Sequence, residues 1–458
     1  MIFFFESRIE IYQNDIPDIY ITNLIKILHN FVFTLILRKQ SRKKVISINP
    51  QQIHSEFDMS PKREYNRYMQ SSQSSLKARK IGWLNVIFLF VSPFVAFYGL
   101  WAWLKSGQYN INTIILTLVF ITIIQVSITG GYHRLFSHRC YQATWPVRLF
   151  FLVFGAAAFE GSALMWSLDH RDHHNYVDDR DKDPYAITRG FFWAHFGWLL
   201  YKPVKGTRDK AKAGDLMNDP LVVWQDKWWL LVGIFAGYIL PGLIALAWGD
   251  FFGGVFLAGF LRAVINHHST FLINSLSHCV GQQTYSDTHS ARDNLFTAFL
   301  TFGEGYHNYH HEFSSDYRNG PRYYDWDPTK WVIKGLSLVG LTSNLKTIPE
   351  EIIVRKRWQM REKRLLQKIA KDNVKIFDRD GKIMSSLKEK AETTFQQLTK
   401  LRTEYQVLNK YIQQHGKKLV EQELKTLKLK IEDAKDEFIS YAREWNQNRL
   451  KVLAYARP

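Results

Sequence analysis

Four apolar segments constrain the fold of this chain more than any other feature. They comprise residues 84–104, 111–131, 228–248 and 251–275. Each is long enough to cross the hydrocarbon core of a bilayer, for which an α-helix needs roughly 20 residues. The first pair is joined by SGQYN and the second by little more than Gly249 and Asp250, so each pair predicts a tight hairpin. The expected fold class is therefore an all-α membrane protein with four transmembrane helices in two hairpins.

The charge distribution gives this topology an orientation. Two hairpins place the N-terminus, residues 132–227 and everything after 276 on one side of the membrane. The chain has 60 Lys and Arg against 42 Asp and Glu, a formal net charge of +18. Nearly all of the basic residues fall on that side, whereas the opposite loops contain only Lys105. The positive-inside rule makes the basic side, with both termini, cytosolic. This bias explains the charge without nucleic acid, which is not an expected partner.

The remaining segments are predicted from their composition. The apolar stretches 147–168 and 190–201 are interpreted as helices lying at the membrane interface. Residues 1–80 form an ill-defined leader, and a true translation start at Met59 is an open alternative. The membrane domain is expected to cover 81–345, followed by a basic amphipathic linker, 346–384, suited to the membrane surface.

The tail, 385–458, is polar and predicted to be helical. A heptad seam contains Leu424, Leu427, Ile431, Ala434, Phe438, Tyr441 and Trp445. A weaker seam contains Ala391, Phe395, Leu398, Tyr405 and Ile412. We expect a helical hairpin, or coiled coil, that turns at Gly416.

Three histidine clusters carry the chemistry. They are HRLFSH (133–138), HRDHH (170–174) and HNYHH (307–311), and NSLSH adds His278. In the second and third clusters the histidines have i, i+3, i+4 spacing, which puts all three on one face of a helix. The two histidines of HRLFSH, five residues apart, fit a regular helix face less well. These are too many imidazoles for one mononuclear site, so the pattern predicts two metal ions.

The metal is predicted from the ligand type. A histidine-only set also suits zinc or copper. Iron is favoured, because so many ligands shared by two ions beside a membrane indicate oxygen chemistry on a lipidic substrate. Only Cys140 and Cys279 occur and no CxxC is present, which excludes thiolate metal sites and indicates a reducing compartment.

Other polar residues near the clusters have predicted supporting roles. His267 and His268 are interpreted as structural, and the histidines His29, His54, His195, His289 and His415 as solvated or locally hydrogen-bonded. The acids that could orient imidazole rings are Asp169, Asp172, Asp178, Asp183, Asp287 and Glu304.

With these motifs, the chain resembles the integral-membrane fatty acyl desaturases, and within them the acyl-CoA Δ9 (stearoyl-CoA type) branch. The resemblance covers about residues 80–345 and includes ITGGYHRLFSHRCYQA, DHRDHHNYVDDRDKDPY, GFFWAHFGWLL, DPLVVWQ, NSLSHCVG and TFGEGYHNYHHEFSSDYRNG. It implies two iron ions, O2 as co-substrate, and an asparagine that contributes through a water. The implied ligands are His133, His138, His170, His173, His174, His278, His307, His310 and His311, with Asn274.

The implied activity is formation of a cis double bond, Δ9, in a saturated acyl chain, most simply a CoA thioester; acyl carrier protein and phospholipid remain open as carriers. A di-iron hydroxylase is one alternative. A metal transporter is disfavoured, because it predicts polar ligands inside the spans. No HPGG haem motif occurs, so a separate electron donor such as cytochrome b5 or ferredoxin is expected.

Six residues are candidates for contacting substrate. Arg189 and Lys202 flank a short apolar helix and suit the anionic head group. Gln125 and Ile121 lie deeper in the second span, where the end of an acyl chain would reach. Glu160 and Trp166 precede the second histidine cluster, and Gln125 and Glu160 differ in character from the animal members of the family.

Overall fold

The computed structural model describes residues 80–107, 109–202, 208–372, 378–415 and 421–455. Met59 and the turn at Gly416 therefore lie outside the described residues. Within the described residues the chain forms two compact units. Unit 1 contains residues 80–137 and 143–279, and unit 2 contains residues 138–142 and 280–455.

Unit 1 is helical. Its α-helices are α1 (Trp83–Lys105), α2 (Ile111–Val126), α3 (Trp145–Ala156), α4 (Ala163–Asn175), α5 (Phe191–His195), α6 (Gly214–Met217), α7 (Pro220–Ile234), α8 (Leu240–Ala245), α9 (Phe251–Gly253) and α10 (Arg262–Ser275). Segments of π-helix run over Ser127–Ser137, Phe235–Ile239 and Gly254–Leu261. Short 3-10 helices are Ile187–Arg189, Gly197–Leu200, Lys210–Ala213, Leu246–Trp248 and Leu276–His278.

Unit 2 contains three short and three long helices. They are α11 (Leu295–Leu300), α12 (His307–Glu312), α13 (Pro328–Leu338), α14 (Glu350–Asp372), α15 (Asp378–His415) and α16 (Glu421–Tyr455). The two short strands are Gln142–Ala143 and Thr342–Ser343. Within unit 2 the Asn344 amide donates to Gln142 Oε1 over 2.8 Å, beside these strands.

Three helices of unit 1 are long and apolar enough to cross a membrane. They run over Trp83–Lys105, Ile111–Ser137 and Pro220–Trp248. The third begins eight residues before the predicted span, because the Asp219 side chain caps Pro220–Ile234 by accepting the Leu221 N–H. The predicted spans 84–104, 111–131 and 228–248 thus all lie within helices of the required length.

The fourth predicted span, 251–275, is helical over Phe251–Ser275 but less apolar. Its Arg262 is fully buried and donates to the carbonyl oxygens of Ala157, Gly237 and Ala258 over 2.7–3.2 Å. Gly237 and Ala258 belong to π-helix segments. These three bonds satisfy a guanidinium that would otherwise be costly to bury.

Asp250 ties the two predicted hairpin turns of unit 1 together. Its carboxylate accepts Trp103 Nε1 at the end of α1 over 2.8 Å and Thr113 Oγ1 at the start of α2 over 2.5 Å. Asp250 itself lies in the turn before α9. Both tight turns therefore lie at the same end of the helices, as the two-hairpin interpretation requires.

The predicted interface segments are broken where the sequence suggested continuous helices. In place of one helix over 147–168, α3 ends at Ala156 and α4 begins at Ala163. Phe159 and Gly161 between them have φ of 59° and 101°, which a continuous right-handed helix cannot contain. The segment 190–201 divides likewise, at Phe196, into α5 and a 3-10 turn.

In unit 2, α15 and α16 pack as an antiparallel pair. Phe395 and Phe438 have ring centroids 5.3 Å apart, and Lys428 lies 5.8 Å from the Tyr405 ring. The linker helix α14 joins them to make a three-helix bundle, with the Trp358 and Trp445 rings 5.9 Å apart. The apolar face of α14, predicted to suit a membrane surface, is instead covered by the tail.

Candidate metal centre

The second histidine cluster is helical, as predicted. It lies on α4, which begins where Ser162 Oγ accepts the Met165 N–H. The rings of His170 and His174, one turn apart, have centroids 4.6 Å apart. His170 and His173 are buried. The cluster is therefore presented from one rigid turn, within unit 1.

The first cluster adopts a geometry that sequence reasoning did not identify. HRLFSH does not continue the α-helical repeat, because Ser127–Ser137 is a π-helix whose hydrogen bonds join residues five apart. His138 follows the last residue of this π-helix, so the two histidines do not share one helix face. His133 is buried with its ring 4.6 Å from that of His170.

Unit 1 brings together two groups of histidines. His133, His170 and His174 each offer a ring nitrogen within 4.8 Å of the others. His173 and His278 form the second group, with ring centroids 5.2 Å apart. Asn274 lies one helical turn before His278 and so falls on the same side of the chain as that ligand.

Unit 2 also brings together two groups. His138 and His310 have ring centroids 4.7 Å apart. On α12 the Nε2 atoms of His307 and His311 are 3.1 Å apart. Imidazole nitrogens that converge in this way are a donor set suited to a transition metal, and each unit supplies two such groups.

Neighbouring side chains fix the orientation of two imidazoles. His173 Nδ1 lies 3.0 Å from Asp183 Oδ1, and the buried Asp183 also accepts the backbone N–H groups of Asp178 and Tyr185. His170 Nδ1 lies 3.3 Å from the Tyr185 hydroxyl. A carboxylate on the far nitrogen of a histidine is the usual partner of a metal ligand, so these residues fit a bound metal.

Asp183→Asn should weaken metal binding without unfolding the protein. The amide oxygen can still accept the Tyr185 N–H, whereas the Asp178 N–H loses its acceptor. The substitution also removes the negative charge that raises the basicity of His173. We expect bound metal affinity and activity to fall about 10- to 100-fold. Metal titration of the purified chain checks this, with Asp181→Asn as the matched control. Equal affinities in wild type and Asp183→Asn would contradict the assignment.

Most of the other acids predicted to orient imidazoles have different partners. The Asp169 carboxylate accepts two bonds from Arg208 Nε and one from Nη2, between 2.6 and 3.1 Å. Asp287 pairs with Lys363 at 2.7 Å. Glu304 is buried and accepts the Asn319 amide over 2.7 Å. Asp172 lies 3.9 Å from Lys212.

Sequence reasoning did not identify Tyr185 as a partner of His170, or Arg208 as a partner of Asp169. Both residues are distant along the chain from their partners.

The other histidines of unit 1 have structural partners. His267 is buried and its Nε2 lies 2.7 Å from the Ala158 carbonyl oxygen, consistent with the predicted structural role. His195 is locally hydrogen-bonded, to Ser275 Oγ at 2.9 Å and His268 at 3.1 Å. In unit 2, His289 was predicted to be solvated or locally hydrogen-bonded. Its ring also lies 5.1 Å from that of the candidate ligand His311, which the prediction did not include.

Two of the substrate candidates are held by protein contacts. Arg189 lies 3.3 Å from Asp181 Oδ1 and 4.7 Å from the Trp193 ring. Gln125 is buried, and its Oε1 accepts the Asn266 amide over 2.8 Å. Ile121 is half-buried on the same helix. The Lys202 backbone N–H donates to the Lys80 carbonyl oxygen over 2.8 Å.

Glu160 and Trp166 lie beside the first histidine group of unit 1. Trp166 stacks on His170 with ring centroids 4.9 Å apart, and its indole N–H donates to Glu160 Oε2 over 3.1 Å. Burial raises the pKa of Glu160 to about 7, although the Thr270 hydroxyl and the Trp166 indole oppose this shift. Glu160 therefore changes charge near neutral pH.

The raised pKa of Glu160 predicts a pH-dependent stability. Because the folded state holds this proton more tightly than the unfolded state, stability is highest at low pH and falls as pH rises from about 4.5 to about 7. Glu160→Gln should remove this loss. We expect the variant to be more stable than wild type at pH 8, by at most about 3 kcal/mol, and equal to it at pH 4. Thermal unfolding at both pH values checks this, with exposed Glu389→Gln as control; parallel profiles for wild type and Glu160→Gln would contradict it.

Comparison with known proteins identifies the family of this chain. The profile of the fatty acid desaturase family matches residues 110–319. The Delta(9)-fatty-acid desaturase fat-5 of Caenorhabditis elegans is 35% identical over 311 residues, 66% of this chain and 92% of that protein. The chain belongs to the fatty acid desaturase family. All nine candidate histidine ligands lie within the matched residues.

Two fungal relatives are more similar but longer. The "probable acyl-CoA desaturase" of Schizosaccharomyces pombe is 43% identical over 286 residues, 62% of this chain and 59% of that protein. Acyl-CoA desaturase 1 of Saccharomyces cerevisiae is 40% identical over 296 residues, 64% of this chain and 57% of that protein. This desaturase-family chain thus matches less than three fifths of the length of either fungal relative.

Proposed function

We propose that this chain is an O2-dependent fatty acyl desaturase that introduces a cis double bond, Δ9, into a saturated acyl-CoA. The observation that carries the proposal is the histidine set. Nine histidines converge in groups within each unit, and they lie in a chain of the fatty acid desaturase family. The family relatives are named acyl-CoA and Delta(9) desaturases.

The proposed centre holds two iron ions. The number of imidazoles, which is too large for one mononuclear site, supports two ions rather than one. The proposed ligands are the nine histidines, with Asn274 contributing through a water.

The proposed topology has four membrane spans, with the histidines and both termini in the cytosol. The two tight turns that meet at Asp250 support this arrangement, because they place both loops at the same end. The charge bias supports the orientation, since Lys105 is the only basic residue in those loops. In this topology 251–275 is the fourth span, with Arg262 bonded to three carbonyl oxygens.

The overall reaction consumes one acyl CH2–CH2 unit, O2, two electrons and two protons, and yields CH=CH and two waters. When bound, the iron ions supply the activation of O2 that this reaction needs. The protein would hold the iron ions and orient the acyl chain. Asp183 and Tyr185 orient the rings of His173 and His170. Trp166 stacks on His170 and donates a hydrogen bond to Glu160. Positioning matters, because a methylene offers no group by which it can be recognised.

The remaining partners follow from the same proposal. A separate electron donor, such as cytochrome b5 or ferredoxin, delivers the two electrons. The bilayer surrounds the spans. Lys202 and Arg189 are proposed at the entrance for the acyl head group, although Arg189 must first exchange its contact with Asp181.

Expression in a desaturase-deficient host tests the function. Mass spectrometry of total fatty acids should show new monounsaturated chains with a cis double bond at carbon 9, and His173→Ala should show none. Hydroxylated fatty acids in place of alkenes would indicate the hydroxylase reaction. Unchanged lipids in a strain with full expression, bound iron and a supplied donor would overturn the proposal.

A further inference from the structure

An arginine stripe runs along α14, which follows the residues that the family model matches. Arg357, Arg361 and Arg364 have i, i+4, i+7 spacing, so they share one side of the helix. Trp358 and Leu365 form another side, which is buried in the core of the three-helix bundle. The stripe is therefore held in place by a packed helix within unit 2.

Two further arginines of unit 2 join this stripe. Arg449 comes from α16, and Arg322 from the loop before α13. Burial lowers the pKa of Arg361 to about 10, and the positive charges of Arg357, Arg449 and Arg322 add to this shift. Burial and the charge of Arg364 likewise lower the pKa of Arg449. Arg361 thus lies in the electrostatic field of Arg357, Arg449 and Arg322, and Arg449 lies in that of Arg364.

These arginines are not neutralised by the protein. In the part of the chain that the structure describes, no Asp or Glu oxygen lies within 4.0 Å of any of the five guanidinium groups. The lysines of the same helix differ. Lys356 pairs with Glu312 at 2.6 Å and Lys363 with Asp287 at 2.7 Å. Arg355 of α14 likewise pairs with Glu392, at 3.0 Å. The five arginines therefore differ from these neighbours in having no ion pair among the described residues.

The contacts that the arginines do make leave donors free. Arg357 Nη2 lies 3.4 Å from the Tyr285 hydroxyl, while its Nε is buried and has no hydrogen-bond partner among the described residues. Arg449 Nε donates to Asn446 Oδ1 over 3.1 Å. Arg364 donates to the Gln283 carbonyl oxygen. Each guanidinium has five N–H donors, so most of this capacity is unused.

We propose that Arg322, Arg357, Arg361, Arg364 and Arg449 form a binding site for a ligand that carries two or more phosphate groups. Repulsion among like charges is costly in a partly buried site, and a polyanion relieves it. The planar fork of arginine matches phosphate oxygens in pairs. A ligand with a single negative charge would leave most of the positive charge of the five arginines uncompensated.

Two sources can supply this chemistry. One is a phosphorylated lipid head group at the membrane surface, and the other is a soluble molecule with a pyrophosphate group. Because Arg357, Arg361 and Arg449 are half-buried, a small ligand fits this site better than the surface of an acidic protein. The site lies after residue 319, the last residue that the family model matches, and it extends the proposed function.

The test uses the full chain in nanodiscs of neutral lipid, with inorganic pyrophosphate as the soluble probe. A second set of nanodiscs contains a phosphatidylinositol bisphosphate. The variant Arg357→Gln/Arg361→Gln/Arg449→Gln removes three charges from the cluster. The control Lys368→Gln/Arg443→Gln/Lys451→Gln removes three charges from exposed positions of α14 and α16. Calorimetry at one fixed ionic strength measures pyrophosphate binding, and native mass spectrometry measures retained lipid.

We expect the cluster variant to lose affinity for at least one probe by about tenfold or more, and the control to keep it. Loss for the lipid alone identifies the head group as the source, and loss for pyrophosphate alone identifies a soluble ligand. Equal loss in variant and control, or no binding by wild type, overturns the proposal.

Thermal unfolding separates loss of binding from loss of folding. Without ligand, the cluster variant should unfold at the same temperature as wild type or higher, because repulsion among the arginines is relieved. At one fixed probe concentration, the unfolding temperature should rise less for the cluster variant than for wild type and the control. A cluster variant that unfolds early and still gains as much stability from the probe as wild type contradicts the site.

Discussion

His173→Ala and His310→Ala should each abolish desaturation and lower the iron bound per chain. His173 is buried on α4 of unit 1, and His310 is buried on α12 of unit 2. Because each residue is a proposed ligand of the iron centre, its loss leaves a coordination position empty. Activity should therefore fall by more than the roughly 100-fold expected when only the hydrogen-bond partner of a ligand is lost. Iron analysis and product formation by the purified variants check this.

The matched control is His268→Ala. His268 is half-exposed, and its ring is bonded to His195 rather than to a candidate ligand. We expect this variant to keep its iron and most of its activity. Membrane insertion and thermal unfolding should be measured for all three variants. We expect both ligand variants to insert and fold, so that a loss of activity can be assigned to the loss of iron. Full activity in His173→Ala or His310→Ala would remove that residue from the centre.

The parts of the site that could be predicted are those set by local periodicity. HRDHH and HNYHH place their histidines on one helix face in any α-helix, so sequence spacing was sufficient for His170, His173 and His174. The apolar lengths likewise predicted the helices over Trp83–Lys105 and Pro220–Trp248.

The parts that escaped prediction depend on hydrogen-bond register or on distant partners. The segment Ser127–Ser137 is a π-helix. Hydropathy does not report which backbone groups are hydrogen-bonded, so it cannot distinguish a π-helix from an α-helix. The bond between Tyr185 and His170 joins residues that the loop after α4 brings together. The break near Phe159 and Gly161 depends on two left-handed residues inside an apolar stretch.

The amphipathic face of α14 illustrates a different difficulty. A basic, amphipathic helix near a membrane suggests the lipid surface, but an apolar stripe specifies only that something covers it. Here Trp358 packs against Trp445 of the tail, and the face available for other contacts is the arginine stripe. Sequence periodicity finds the apolar face and leaves its partner undetermined.

The second span should set how far an acyl chain extends past the metal centre. Gln125 precedes His133 by eight residues, at most about 12 Å along the helix. Ile121 lies one turn deeper on the same face and is half-buried. The structure gives Gln125 a partner, Asn266 of α10, and leaves Gln125 Nε2 buried without a hydrogen bond among the described residues. Both residues therefore face the interior of unit 1, where the end of a chain would lie.

Ile121→Trp should accordingly shift preference toward shorter acyl chains, and Ile121→Ala and Gln125→Ala toward longer ones. Filling or emptying a hydrophobic pocket by a few methylenes changes kcat/KM ratios by about tenfold or more. Competition between acyl-CoA substrates of two lengths, with product analysis by mass spectrometry, measures the ratio. Leu118→Trp is the matched control, since Leu118 is 59% exposed on the same helix.

The position of the double bond, counted from the carboxyl end, should stay fixed in every variant, because the head group and the histidines set it. If Gln125→Ala and Asn266→Ala destabilise the protein equally and none of the Ile121 variants changes chain preference, Gln125 serves only to join two helices and the chain ends elsewhere.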